Sequence, residues 1–203
     1  MPTSQHFPTL LFRDHWKSPG LNRQLLSEID DLMDLDRAGH SWSKDHYKNG
    51  FTSYASANEM HRVSPTFQKL EQWIDRGVGK FARSLDWDLG GGKLKMTTCW
   101  VNVMGPNTHH SLHLHPLSVV SGTYYVSTPA GSPAIKFEDP RLSRMMHSPP
   151  KRERAAAANR AHIEVPAKAG SLVLFESWLR HEVPIHTGRA PRISVSFNYD
   201  WVN

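Results

Sequence analysis

The chain has 203 residues, a net charge of +5 at neutral pH, 38% hydrophobic and 10% aromatic residues. That length fits one domain and that composition fills a core, which excludes disorder of the whole chain. A single cysteine, Cys99, excludes an internal disulfide and a CxxC zinc site. No apolar run approaches the ~20 residues of a membrane span, and the start MPTSQHFPTL lacks the basic and apolar stretches of a secretory signal. A cytoplasmic location is therefore expected.

The charge is unevenly distributed. Residues 141–168 hold seven basic side chains (Arg141, Arg144, Lys151, Arg152, Arg154, Arg160 and Lys168) against Glu153 and Glu164, and the rest of the chain is neutral, with 17 of each sign. A basic stretch raises the question of nucleic acid. This one has no aromatic residue to stack on a base, so nucleic acid is not expected as a partner.

In chain order, Ser18-Pro19 reads as a helix start, a capping residue before proline at the first helical position. Leu21, Leu25, Ile29, Leu32 and Met33 continue it as a helical stripe. Residues 37–63 read as loop, with a short strand near Phe51–Tyr54. Ser64-Pro65 repeats the start signal. Phe67, Leu70, Ile74, Val78, Phe81 and Leu85 follow at steps of three and four, and the run stops by the Gly90–Gly92 cluster. From Leu94 the period becomes two: LKMTTCWVNVM, SVVSGTYYVS, AIKFE, SLVLFES and RISVSFNYDW read as strands with Gly, Pro and Asn turns between them. Short strands after a helical start predict a sandwich or jelly roll flanked by helices. The chain is expected to be one domain over 1–203. In it, 1–92 form a helical part packed on the barrel, and 93–203 form the jelly-roll core with a basic loop at 141–168.

Thirteen histidines stand against one cysteine. His6, His15, His40, His46, His61, His147, His162 and His186 read as ordinary polar surface residues. In GPNTHHSLHLHP, His113 and His115 are two apart, which on a strand places both on one face. Two imidazoles on one face can share a metal, although the same spacing also serves a polar strand face. A third ligand would come from elsewhere, and His181 in FESWLRHEVP is the candidate. Imidazole suits Fe, Zn, Cu and Ni, so the motif indicates a site before a metal. His109 and His110 read as loop residues outside the site. In RISVSFN, Ile193, Val195 and Phe197 alternate with Arg192, Ser194, Ser196 and Asn198. The Arg192/Ser194 face is either a solvent edge or, if it lines a barrel interior, a carboxylate-binding wall.

HLHPLSVVSGTYYV, IKFEDPR, GSLVLFESWLRHEVP and RISVSFN, together with WVNV at 100–103 and GFTSY at 50–54, resemble the 2-oxoglutarate/Fe(II) oxygenase family found in bacteria and phages. The similarity spans about residues 50–200. The resemblance implies a mainly β fold with flanking helices, a double-stranded β-helix of jelly-roll, cupin-like type. It places the metal on His113, His115 and His181 and the distal carboxylate of 2-oxoglutarate on Arg192 with Ser194. More distantly it brings in Tyr125 beside that arginine and Asn102. The implied cofactor set is Fe(II), 2-oxoglutarate as co-substrate and O2. The implied reaction decarboxylates 2-oxoglutarate to succinate and oxidises a substrate C–H bond.

His115 stands where the wider superfamily has a carboxylate. Three neutral imidazoles leave the +2 charge of the ion uncompensated, which favours an anionic co-ligand. The same ligand set also suits a cupin-type dioxygenase that does not use 2-oxoglutarate, and a non-enzymatic metal-binding module is a further alternative. Because imidazole must be neutral to ligate, metal affinity is expected to fall as pH drops through the histidine range. The substrate reads as a small molecule or peptide. If the basic segment is a lid at the barrel mouth rather than a solvated loop, the substrate is anionic.

Overall fold

The computed structural model describes residues 3–203. In chain order the elements are β1 (Phe12–His15), α1 (Pro19–Leu35), α2 (Arg37–His46), β2 (Gly50–Thr52), α3 (Met60–Val63) and α4 (Pro65–Ser84). They are followed by β3 (Lys93–Met104), β4 (His110–His113), β5 (Val120–Ser127), β6 (Ile135–Glu138), β7 (His162–Val165), β8 (Ser171–Glu176), β9 (His181–Val183) and β10 (Arg192–Val202).

The two helices expected from Ser-Pro starts are α1 and α4, but the two starts are built differently. The Ser64 hydroxyl accepts from the amides of Thr66 and Phe67 at 3.1 and 3.2 Å and donates to the Glu28 carboxylate of α1. Ser18 makes no side-chain capping bond. Within 37–63 the short strand expected near Phe51–Tyr54 is β2, but the stretches on either side, expected as loop, hold the helices α2 and α3. The helix α2 buries only Gly39 and Ser43, so it has no apolar stripe to read. Its start is fixed instead by the Asp36 carboxylate, which accepts from the Gly39 amide at 2.8 Å.

The strands from β3 onward form a double-stranded β-helix. One sheet has the order β1-β8-β5-β10-β3-β2 and the other β4-β9-β6-β7. The first ninety-two residues supply both edge strands of the larger sheet, β1 and β2, as well as the helices that cover it. Strand β10 is its spine, antiparallel to β3 on one side and β5 on the other. Ile193, Val195, Phe197 and Tyr199 of β10 join the core formed with Leu21, Leu25, Ile29, Phe67, Ile74 and Phe81 of the helices. A second core, including Tyr125, Ile135, Phe137, Phe175 and Val183, lies between the sheets. The larger sheet is thus covered on both faces, yet β10 keeps a period of two because its inner face carries the polar residues Arg192, Ser194, Ser196 and Asn198. Gly122 on β5 permits this packing: a Cβ there would stand 2.6 Å from Phe197 and 2.7 Å from Leu174.

Cys99 of β3 is buried on the helix side of the sheet. Its amide donates to the Asn58 carbonyl at 2.7 Å. The segment 141–168, expected as a loop, contains 3₁₀ turns at Leu142–Arg144 and Ala157–Asn159 and the strand β7. At four residues, and paired only with β6 at the sheet edge, β7 is too short to show a period. No helix among the described residues is long and apolar enough to cross a membrane.

The contrast between the two serines is testable. Ser64→Ala removes both the cap and the tie to α1 and should cost about 1–2 kcal/mol. Ser18→Ala should cost at most a few tenths, because no cap bond is lost. Urea denaturation of both variants measures the difference.

Candidate functional site

His113, His115 and His181 are brought together, with one ring nitrogen from each lying within 4.8 Å of the others. His113 closes β4 and His181 opens β9, and the two are register partners. The structure corrects the expectation of one strand carrying both histidines of HLH. Strand β4 ends at His113, and His115 is placed instead by its own amide, which donates to the Ser177 carbonyl at 2.9 Å. The ring centroids are 4.3 Å apart for His113 and His181, 5.2 Å for His113 and His115, and 5.1 Å for His115 and His181.

In all three rings the Nδ1 atom already has a partner. His113 Nδ1 lies 2.6 Å from the Ser111 carbonyl and His181 Nδ1 lies 2.9 Å from the Leu179 carbonyl. His115 Nδ1 lies 2.7 Å from Asn198 Oδ1 and 2.8 Å from Ser121 Oγ. A carbonyl can only accept, so the proton sits on Nδ1 and the Nε2 lone pair is free for a metal. The donor set therefore fits Fe(II) or a similar divalent ion: three neutral imidazoles on one side, with the other side open to a cavity.

Burial holds the His115 imidazole down to about 4, with the nearby His113 ring adding to the effect. Burial, then the His113 ring, holds His181 down to about 3. For these two histidines the protonation range expected from the sequence is thus displaced to lower pH.

The cavity, of about 350 Å³, opens beside the triad between the two sheets. Arg192 and Ser194 line it, both 2% exposed. Their face of β10 is the interior wall and not a solvent edge. Arg192 Nε has no hydrogen-bond partner, and Arg192 forms no ion pair among the described residues. A buried guanidinium without an anion is costly, and a ligand carboxylate is the group that would offset the cost. Tyr125 does not line the cavity. It lies fully buried behind Arg192, whose Cζ sits 4.8 Å from the centre of its ring. Asn102 lines the cavity, but its carboxamide already accepts from Thr52 at 2.8 Å and donates to Ser196 at 3.0 Å.

Several expectations about the other histidines are corrected. His110, read as a loop residue, opens β4 and lines the cavity. Its Nε2 is 2.8 Å from the Tyr47 hydroxyl, and burial together with the nearby Arg192 charge lowers its pKa well below the usual value. Tyr47 lines the same wall, and the sequence offered no pattern for it beyond one aromatic residue at the end of α2. His46 is exposed, as expected, and also lines the cavity, stacked on Trp42 at 4.4 Å. His61 and His186 are buried rather than at the surface. His186 is a brace for its loop, within 3.1 Å of the Gly131 carbonyl and 2.8 Å of the Ala190 carbonyl.

A file of aromatic rings leads outward from the triad. Trp100 lies 6.0 Å from His115, Tyr54 5.2 Å from Trp100, and Trp42 6.0 Å from Tyr54. No aspartate or glutamate lines the cavity, and no residue of 141–168 does. Parts of the basic segment instead border a groove against residues 4–11, with Arg141 closed on Asp139 in a two-pronged pair at 2.9 and 2.8 Å.

A jelly roll holding three histidines and a buried, unpaired arginine in one cavity has the architecture of a non-haem metal oxygenase. Residues 98–198 match the family model described as "Putative 2OG-Fe(II) oxygenase", and the chain belongs to that family. No curated protein sequence matches the chain. Among solved structures, the chain is similar to a prolyl-4-hydroxylase from Pseudomonas putida. The two share 15% identity at a TM-score of 0.60, over 95% of this chain and 92% of that one. It is also similar to HygX from Streptomyces hygroscopicus, solved with nickel and 2-oxoglutarate bound, at 14% identity and a TM-score of 0.63 over 95% and 83%. At these identities the structural likeness carries the fold. The family's cofactors are Fe(II), 2-oxoglutarate and O2.

The buried histidines predict acid sensitivity of the metal-free protein. In the unfolded chain His115 and His181 take up protons below about pH 6.5. In the fold they remain neutral to about 4 and about 3. The unfolded state then binds more protons, so stability falls as pH falls from about 6.5 toward these values. At pH 5 the loss is on the order of 2 kcal/mol per histidine. Urea midpoints at pH 7 and pH 5 should differ more for the wild type than for the His115→Gln/His181→Gln protein.

Proposed function

We propose that His113, His115 and His181 hold Fe(II) through Nε2, and that Arg192 and Ser194 bind the distal carboxylate of 2-oxoglutarate, making this chain an oxygenase of a C–H bond. One observation carries the reading: Arg192 is buried and unpaired in the wall of the cavity that also holds the triad. When bound, the iron supplies the activation of O2 that couples decarboxylation of 2-oxoglutarate to oxidation of the substrate.

The protein's own residues bind, orient and exclude water. Arg192 offers a fixed fork, and the Tyr125 ring beneath it limits its motion. Ser194 stands on the same face of β10, and Asn102 is its register partner on β3. Asn102, held by Thr52 and Ser196, keeps this wall rigid and presents its remaining hydrogen-bonding capacity to the ligand. Three neutral imidazoles leave the metal with its full +2 charge, and Arg192 adds another positive charge nearby. The site is matched to a dianion.

The substrate enters along Trp42, Tyr54 and Trp100. This wall suits the face of a ring or an apolar side chain, on a small molecule or within a peptide. With the basic segment outside the cavity lining, nothing in the site calls for an anionic substrate. A cupin-type reaction without 2-oxoglutarate leaves the buried charge of Arg192 unexplained. We place the enzyme in the cytoplasm, in keeping with its single, unbridged cysteine.

Anaerobic addition of Fe(II) and 2-oxoglutarate should give the weak visible charge-transfer band of the chelate, and succinate should form in air. Absence of both would sink the proposal. His181→Ala should lose metal by calorimetry with Ni(II). Arg192→Ala should keep Ni(II) but weaken 2-oxoglutarate binding by ~100-fold, the loss of a charge-assisted pair of about 3 kcal/mol. Deletion of 144–160 should leave both affinities unchanged.

A further inference from the structure

The three histidines do not hold their tautomers in the same way. His113 and His181 face backbone carbonyls, which accept under all conditions. His115 faces the side chain of Asn198, a carboxamide that could present either its oxygen or its nitrogen. With the oxygen presented, His115 carries its proton on Nδ1 and its Nε2 is free for metal. With the amide turned over, the nitrogen would donate to Nδ1, the proton would move to Nε2, and the ligand would be blocked.

The orientation is decided by two serines. Ser121 Oγ donates to Asn198 Oδ1 at 2.8 Å and stands 2.7 Å from Ser177 Oγ. Ser121 and Ser177 are fully buried, so their hydroxyl protons have few alternative acceptors. With Ser177 donating to Ser121, the Ser121 proton is left for Asn198. Two donors, Ser121 O–H and His115 Nδ1–H, then converge on one carbonyl oxygen and satisfy both of its lone pairs. A register shift in β10 falls at Asn198/Tyr199. Such a shift re-aims a side chain locally, and here it falls where Asn198 turns toward the cavity.

We infer that Asn198, oriented by Ser121 and Ser177, is the positioning residue that keeps His115 competent to bind metal. This rests on the metal-holding role proposed for the triad. It also bears on charge. In its acceptor role a carboxamide is neutral, so His115 is oriented without adding a negative charge beside the ion. The dianionic co-substrate therefore meets the metal's charge undiminished by the residue that orients His115.

The experiment reads tautomers and metal affinity, not turnover. In the metal-free protein, ¹⁵N NMR of the histidine side chains should show all three triad rings as Nδ1–H. In Asn198→Leu, His115 alone should become a mixture, while His113 and His181 keep their tautomer. Calorimetry with Ni(II) should show affinity weakened ~10–100-fold in Asn198→Leu. Asn198→Asp, which can only accept when ionised, should restore Ni(II) affinity to the wild-type range. Ser121→Ala should shift His115 in the same direction as Asn198→Leu.

Equal Ni(II) affinity of wild type and Asn198→Leu, an unchanged His115 tautomer, or failure of Asn198→Asp to restore binding would overturn the inference. If His181→Ala binds Ni(II) as well as wild type, the triad itself is not the metal site, and the failure lies with the proposed function instead.

Discussion

The site depends on the double burial of β10. One face, Ile193, Val195, Phe197 and Tyr199, is locked into the core shared with α1 and α4. The other, Arg192, Ser194, Ser196 and Asn198, can then only face the space between the sheets, where it lines the cavity. A strand alternates sides with period two. Packing of the apolar face therefore fixes the position of the polar face to within the tolerance of a close-packed core. The arginine proposed to bind a carboxylate and the asparagine proposed to orient His115 stand on one rigid strand, six residues apart. A slip of one residue in register would place the arginine in the helical core and phenylalanine against the histidine triad. The site and the core thus share one constraint.

This is also why much of the fold was legible. The stripe of α4 and the alternation of β3, β5, β8 and β10 are long enough to declare their period, and each lies within a residue or two of its expected bounds. The features that escaped are short or polar. The helix α2 has no apolar stripe, since only Gly39 and Ser43 are buried, and β7 and β9 run for four and three residues. The histidines of the triad were legible because HLH is local and His181 follows a clear strand. His110 was not, because its importance arises from Tyr47, sixty-three residues earlier in the chain. Tyr47, Trp42 and Tyr54 lie in the region least readable as structure, and their convergence on the cavity is a tertiary fact. The family model likewise covers 98–198, so the aromatic wall contributed by 42–54 lies outside it.

Charge is divided between two places with different purposes. The excess of positive residues in 141–168 gives the chain its net sign, yet it lies away from the cavity lining, where Arg141 is neutralised locally by Asp139. The cavity contains far fewer charges, but Arg192 is buried and unpaired there, and low-dielectric surroundings magnify its effect on a ligand. A net charge summed over the chain therefore says little about the ligand. One guanidinium on the inner wall says more than seven cations in a surface segment.

Cys99 carries a consequence of a different kind. Its thiol lies on the helix side of β3, buried, with burial pushing its ionisation far above the ordinary range. The larger sheet stands between it and the cavity. Because the thiolate is the reactive form, a thiol reagent has access only when the helices lift away from the sheet. The one sulfhydryl of the chain is therefore a built-in clock for the opening of its central layer, silent while the fold is closed.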